Sequence, residues 1–189
     1  MQTLPDICQI SDILLDVDID NKHQLFEFAA RQLGQRHALN AQTLATALLL
    51  REQSGSTGLG HGLALPHARI SGLSEAHALF LRLKQGLAFD APDHALAHSF
   101  LFLLLPQETR PHHLQLLASI ARMFSERPFR EELSRSRHPQ QVQRLFQLWA
   151  DPDADNDPHF LLDSNRYFMD TESSLRPDFS IRRKVVARF

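Results

Sequence analysis

Apolar residues along this chain recur at two different spacings, and the changes of spacing mark out its elements. Asn21, followed three positions later by Gln24, has the form of a capping box; Leu25, Phe28, Ala29, Gln32 and Leu33 then keep helical intervals, predicting a helix that ends near Gly34. Leu44, Ala47, Leu48 and Arg51 fall on successive turns of a second helix from Asn40 to about Glu52. The pattern breaks at Ser54-Gly55-Ser56-Thr57-Gly58-Leu59-Gly60-His61-Gly62, where four of the chain's seven glycines occur in nine residues. That composition predicts a backbone built for close approach rather than a regular element.

Leu63-Ala64-Leu65 and His77 to Leu83 read as strands. His98 to Leu105 is apolar at nearly every position, as expected of a strand covered on both faces, and Pro106 stops it. From Pro111 onward Leu114, Leu117, Ala118 and Ala121 form a helical stripe. A short helix near Phe129 to Leu133 follows, then one opened by Pro139 that carries Val142, Leu145, Phe146 and Trp149. Helices precede, follow and alternate with strands, so the expected class is α/β, a small mixed sheet flanked by helices.

After Trp149 the character changes. Asp151-Pro152-Asp153-Ala154-Asp155-Asn156-Asp157-Pro158 is acidic and punctuated by proline, and the chain ends in the basic, partly apolar Ile181 to Phe189. This predicts a domain over residues 1–150 and a C-terminal tail over 151–189. The tail reads as a solvated appendage, with Phe160-Leu161-Leu162 and Tyr167-Phe168-Met169 as segments that could instead dock.

Composition narrows the function classes. With 43% hydrophobic and 22% charged residues the chain can build a sizeable core. A net charge of -2 and a pI near 6.6 lack the clustered positive field of a nucleic-acid binder, so no nucleic-acid partner is expected. Cys8 is the sole cysteine, which excludes an intramolecular disulfide and a cysteine-rich zinc site. The longest apolar run, Phe100 to Leu105, is far short of a membrane span, and the first residues lack the basic-then-apolar form of a signal peptide. A cytoplasmic protein is expected.

His67 is the candidate for chemistry. It follows Pro66, whose fixed φ restricts the direction in which the imidazole leaves. The glycine-rich loop before it can turn several backbone N–H groups toward one point, which is how proteins hold phosphate without a metal. Arg51, Ser56 and Thr57 add a cation and two hydroxyls nearby in the chain. A neutral imidazole is a nucleophile at physiological pH, and phosphoryl transfer asks the protein mainly for positioning and charge stabilisation. A Walker loop would need a lysine that is absent here, and a dinucleotide loop would follow a strand and open a helix, the reverse of this order. On these residues alone, a plain turn with an unrelated histidine stays open.

The run Arg51-Glu52-Gln53-Ser54-Gly55-Ser56-Thr57-Gly58-Leu59-Gly60-His61-Gly62-Leu63-Ala64-Leu65-Pro66-His67-Ala68 resembles the active-site signature of fructose/mannitol-type (type-2) enzyme IIA domains of the bacterial phosphotransferase system. Its Gly-Ser-Thr-Gly segment leading into Ala-Leu-Pro-His is similar to the nitrogen-regulatory branch. Leu87-Ala88-Phe89-Asp90-Ala91-Pro92-Asp93 resembles the family's loop after the sheet hairpin, and Leu103-Leu104-Leu105-Pro106 with His112-His113-Leu114 resembles the segment bearing its second histidine. The resemblance covers roughly residues 7 to 150 and implies the type-2 enzyme IIA fold with a C-terminal extension.

The resemblance implies that His67 accepts a phosphoryl group on Nε2 from an HPr-type phosphocarrier (the nitrogen-system carrier NPr), with His113 as accessory histidine and Arg51 as active-site arginine. Ser56, Thr57, Gly58, Gly60 and His61 are the candidate phosphoryl-binding residues. His113 belongs in the first turn of a helix, where the dipole favours phosphoryl oxygens; adjacent His112 leaves the register open by one, and spacing from Pro106 favours His113. Ala68 replaces the usual glycine after the histidine, and His61 stands where the family often has asparagine. Regulated proteins such as potassium-transport or sensor-kinase components are the implied partners. A sugar-transport enzyme IIA passing phosphate to a fructose or mannitol IIB domain is one alternative, and a phosphorylation-independent binding module is another.

No cofactor or metal is expected. His94 and His98 have the spacing of a helical metal pair, but His98 begins a predicted strand and nothing completes the site. The Asp151 to Asp157 run imitates an EF-hand start, yet Asn156 stands where glycine is required and residue twelve is Leu162.

Overall fold

The two apolar runs predicted at 77–83 and 98–105 lie side by side at the centre of a six-stranded sheet. The structure, a computed structural model, describes residues 2–108 and 111–150; the expected tail, its docking segments and the EF-hand-like run lie outside the described residues. In chain order the elements are α1 (Leu4–Ile7), a 3-10 turn (Ile10–Asp12), β1 (Ile13–Val17), α2 (Lys22–His37), α3 (Ala41–Gln53), β2 (Gly58–Gly60), β3 (Leu63–Ala64), β4 (His67–Ile70), β5 (His77–Leu87), β6 (Ala97–Pro106), α4 (Pro111–Ser125), α5 (Arg127–Arg135) and α6 (Pro139–Ala150).

The sheet is mixed, as expected. Its order is β1-β5-β6-β3-β2, with β4 also paired to β6. β1 runs parallel to β5, β5 antiparallel to β6, and both β3 and β4 parallel to β6. Alternation along the central strands divides the core in two. Ala78 and Phe80 of β5 with Leu101, Leu103 and Leu105 of β6 pack toward α1, α4, α5 and α6. Leu79, Leu81 and Leu83 with Phe100, Phe102 and Leu104 pack toward α2 and α3. Helices therefore cover both faces, which is why β6 has no polar alternation to show. On the α2 side Phe26 lies 6.1 Å from Phe89 and edge-on to Phe102 at 5.4 Å, so the loop after β5 is anchored in the aromatic core.

Several boundaries differ from the expectation, each for a physical reason. α2 runs past Gly34 to His37 and ends where Ala38 turns left-handed, its N–H bonding back to the Gly34 carbonyl. Gly34 serves close packing instead: a Cβ there would sit 2.8 Å from the Leu39 carbonyl oxygen. The Asn21 carboxamide does cap α2 by accepting from the Gln24 N–H, but the Gln24 side chain reaches Asp20 rather than Asn21, so the reciprocal box is not closed. The glycine-rich stretch contains a regular element after all, the short strand β2. β5 continues to Leu87, and α5 spans Arg127–Arg135 rather than 129–133 alone.

Candidate functional site

His67 opens β4, opposite Leu103 of β6. Alternation buries Ala68 and Ile70 and leaves His67 and Arg69 half-exposed on the same face. The imidazole is held at both nitrogens. Nδ1 lies 2.9 Å from the Leu65 carbonyl oxygen, which can only accept, so Nδ1 carries the proton. Nε2 is then left with its lone pair, and the Arg51 Nε–H donates to it at 3.2 Å.

Burial holds His67 below the ordinary histidine range; the Leu65 carbonyl opposes that, Arg51 adds to it, Glu52 opposes and Arg69 adds again. A neutral ring with Nε2 unprotonated is the form that can attack an electrophile at neutral pH.

Arg51 comes from the last turn of α3, where a cation complements the helix dipole. Its Nη1 donates to the Gly55 carbonyl at 3.0 Å, which ties the guanidinium to the start of the glycine-rich loop as well as to the ring. Helix end, loop and strand start thus meet at one side chain.

The loop is shaped from outside by the segment after β5. The Ser56 hydroxyl donates to the Phe89 carbonyl at 2.7 Å. A Cβ on Gly58 would lie 3.0 Å from both the Phe89 carbonyl oxygen and the Ala91 Cα, which is why glycine is needed there. The His61 N–H donates to the Asp93 carboxylate at 2.6 Å, with Gly60, His61 and Gly62 all at positive φ. That bond and the Ala95 N–H hold the Asp93 carboxyl below the usual carboxylate range.

The hydroxyls expected to face a phosphoryl group are already engaged. Thr57 is buried, and its N–H and hydroxyl both donate to Glu52, at 3.1 and 2.5 Å. Ser56 holds Phe89, as above. Both residues hold the loop in place. The Gly58 N–H is likewise taken, by the Ser56 hydroxyl at 3.1 Å. The His61 side chain is exposed.

His113 occupies the first turn of α4, in agreement with the expected position, and is 2% exposed; His112 packs edge-on against it at 4.2 Å and is the less buried of the two. Burial thus distinguishes the two neighbours. Glu52, Lys22 and Arg69 were not singled out by sequence. Lys22 lies 2.9 Å from Glu52 and sits over the Phe89 ring at 4.2 Å. No helix among the described residues is long and apolar enough to cross a membrane, and no three His, Cys, Asp or Glu side chains among them gather as a metal site.

Residues 6–148 match the family described as phosphoenolpyruvate-dependent sugar phosphotransferase system, EIIA 2. A nitrogen regulatory protein of Pseudomonas aeruginosa is 35% identical over 128 residues, 68% of this chain and 79% of that protein. A fructose-specific EIIA component of Haloferax volcanii is 35% identical over 100 residues, 53% of this chain and 65% of that one. Among solved structures, the nitrogen regulatory protein IIA-Ntr of Neisseria meningitidis superposes with a TM-score of 0.73 at 34% identity, covering 76% of this chain and 98% of its own. The fold, the matched span and these relatives agree: the chain belongs to the EIIA 2 family of the phosphoenolpyruvate-dependent sugar phosphotransferase system.

Proposed function

We propose that this protein is a regulatory phosphocarrier that accepts a phosphoryl group on Nε2 of His67 from an HPr-type carrier and controls protein partners by its phosphorylation state. The observation that carries the reading is the two-sided grip on the imidazole, Leu65 at Nδ1 and Arg51 at Nε2. In the transfer, the Nε2 lone pair forms the new N–P bond while the electron pair of the donor's N–P bond returns to the donor imidazole. Nδ1 keeps its proton throughout. Arg51 gives up the lone pair as the bond forms, and its N–H groups turn to the phosphoryl oxygens. The positively charged phosphoimidazole is supported by the Leu65 carbonyl.

His113 enters as the accessory histidine at the start of α4, and the glycine-rich loop as a shaped backbone wall in which Ser56 and Thr57 are struts. The similarity to nitrogen regulatory proteins supports a regulatory role. The partners of this reading are potassium-transport or sensor-kinase components, and its compartment is the cytoplasm. The similarity to a fructose-specific EIIA component favours one rival, a donor to a sugar-specific IIB domain. Incubation with phosphoenolpyruvate and the upstream carriers should label the wild type and not His67→Ala. Equal label in both would sink the assignment, and onward transfer to a fructose or mannitol IIB domain would favour the rival.

A further inference from the structure

Glu52 is 7% exposed, an expensive place for a carboxylate unless donors surround it. The Thr57 N–H at 3.1 Å and the Thr57 hydroxyl at 2.5 Å both donate to Oε2, while the Lys22 ammonium faces Oε1 as an ion pair at 2.9 Å and Oε1 accepts no hydrogen bond among the described residues. From there an unbroken series of hydrogen bonds leads to the candidate nucleophile. The Thr57 carbonyl accepts the Leu65 N–H at 2.9 Å, and the Leu65 carbonyl accepts the His67 Nδ1–H at 2.9 Å.

We propose that Glu52 is a positioning residue for His67: its buried carboxylate fixes Thr57, Thr57 fixes Leu65, and Leu65 fixes the ring with Nε2 presented to the donor. The inference rests on the phosphoacceptor reading above and adds to it the part that sets the ring's direction and tautomer. Each link passes through a residue's Cα rather than along one peptide plane, so what the series transmits is position. The carboxylate's charge reaches the ring separately, through space, on the side that favours a protonated Nδ1 and a positively charged phosphoimidazole. Arg51, one residue earlier on α3, supplies the opposite charge at Nε2. Consecutive residues at one helix end thus act on the two ring nitrogens, Arg51 directly and Glu52 through Thr57 and Leu65. Lys22 of α2 neutralises part of the Glu52 charge and is itself shared with Asp90 at 3.3 Å.

The charged groups acting on the ring are Arg51 and Glu52 from α3 and Arg69 from β4. The test follows His67 by NMR titration of the whole chain, and follows phosphoryl acceptance from the phosphorylated HPr-type carrier. In Glu52→Gln the negative charge is gone, so His67 should titrate at lower pH than in wild type. The rate at saturating donor should fall about tenfold, the usual cost of losing a charged hydrogen-bond partner, with half-saturation unchanged. A merely structural role predicts the opposite titration, because a loosened loop would hydrate the ring and raise its pKa. Lys22→Met, on the open side of the same carboxylate, should move the His67 titration upward.

Wild-type titration and rate in Glu52→Gln, or an upward shift there, would overturn the proposal. If Glu52→Gln does not fold, Lys22→Met decides, and an unchanged or lowered titration overturns it. Failure of the phosphoacceptor reading looks different: His67→Ala, run alongside, would take up phosphate like wild type.

Discussion

The Arg51 Nε–H meets the Nε2 lone pair of His67 at 3.2 Å, so the arginine covers the very electrons that the proposed transfer needs. It acts as a placeholder that must yield to phosphorus and then bind the oxygens that arrive. Arg51→Gln should leave the fold intact and slow phosphoryl acceptance about a hundredfold, the scale seen when one preorganised donor to a developing charge is removed. Arg51→Lys should recover only part of the loss, because an ammonium cannot hold ring, loop and phosphoryl oxygens with one planar fork. Wild-type rates in Arg51→Gln, measured by rapid quench, would contradict the account.

Acceptance should depend on pH through His67. The reactive form is the neutral ring, and burial with its arginine neighbours holds its pKa below the ordinary value of 6.5. The rate should be flat through neutral pH and fall only on the acid side of that value. Arg51→Gln removes a lowering influence, so its acid limb should lie at higher pH than that of the wild type. A rate that rises as pH falls from 7 to 6 would point to a different nucleophile.

Stability should also fall in acid, for reasons away from the site. His37 at the end of α2 stacks on His77 at the start of β5, ring centroids 3.7 Å apart, and burial is the main cause lowering both. A histidine with a depressed native pKa binds its proton more readily when unfolded. Its contribution is therefore complete above the unfolded value, about 6.5, and is lost as pH falls through the native one. The melting temperature should decline below that value, and the decline should be shallower in His37→Gln. An equal slope in the variant would remove the pair from the explanation.

Gly34→Ala tests the packing of α2 on α3 against helix propensity. Propensity alone predicts a gain of about 1 kcal/mol for alanine inside a helix. The added Cβ, however, would sit 2.8 Å from the Leu39 carbonyl oxygen and 3.3 Å from the Ala41 Cβ, and backbone must move to admit it. A net loss of about 1–3 kcal/mol is expected from overpacking, read by denaturant unfolding. A stabilised variant would show that the close approach is soft.

The same glycine illustrates what sequence could and could not convey. Gly34 reads as a helix stop, because the need for close packing is set by Leu39 and Ala41 folding back against it. The class, the buried central strands and the residues Arg51 and His67 are legible, since each rests on local spacing or a contiguous signature. β1 and β4, five and four residues long, are too short for periodicity to reveal. The engagement of Thr57 has no local signal, because the spacing of Glu52 at a helix end does not say what its carboxylate meets. Only its burial under Lys22 makes it part of the site. Likewise nothing local says that Phe89, Ala91 and Asp93 shape the glycine-rich loop from a distant segment.

The central claim is most directly tested by locating the phosphoryl group within the ring. The chain, labelled with nitrogen-15 in its histidines and phosphorylated by the HPr-type carrier, should show one phosphohistidine. Phosphorus coupling should appear on Nε2 of His67, with Nδ1 still protonated. Coupling on Nδ1, on His113 or His112, or on no histidine at all would contradict the account.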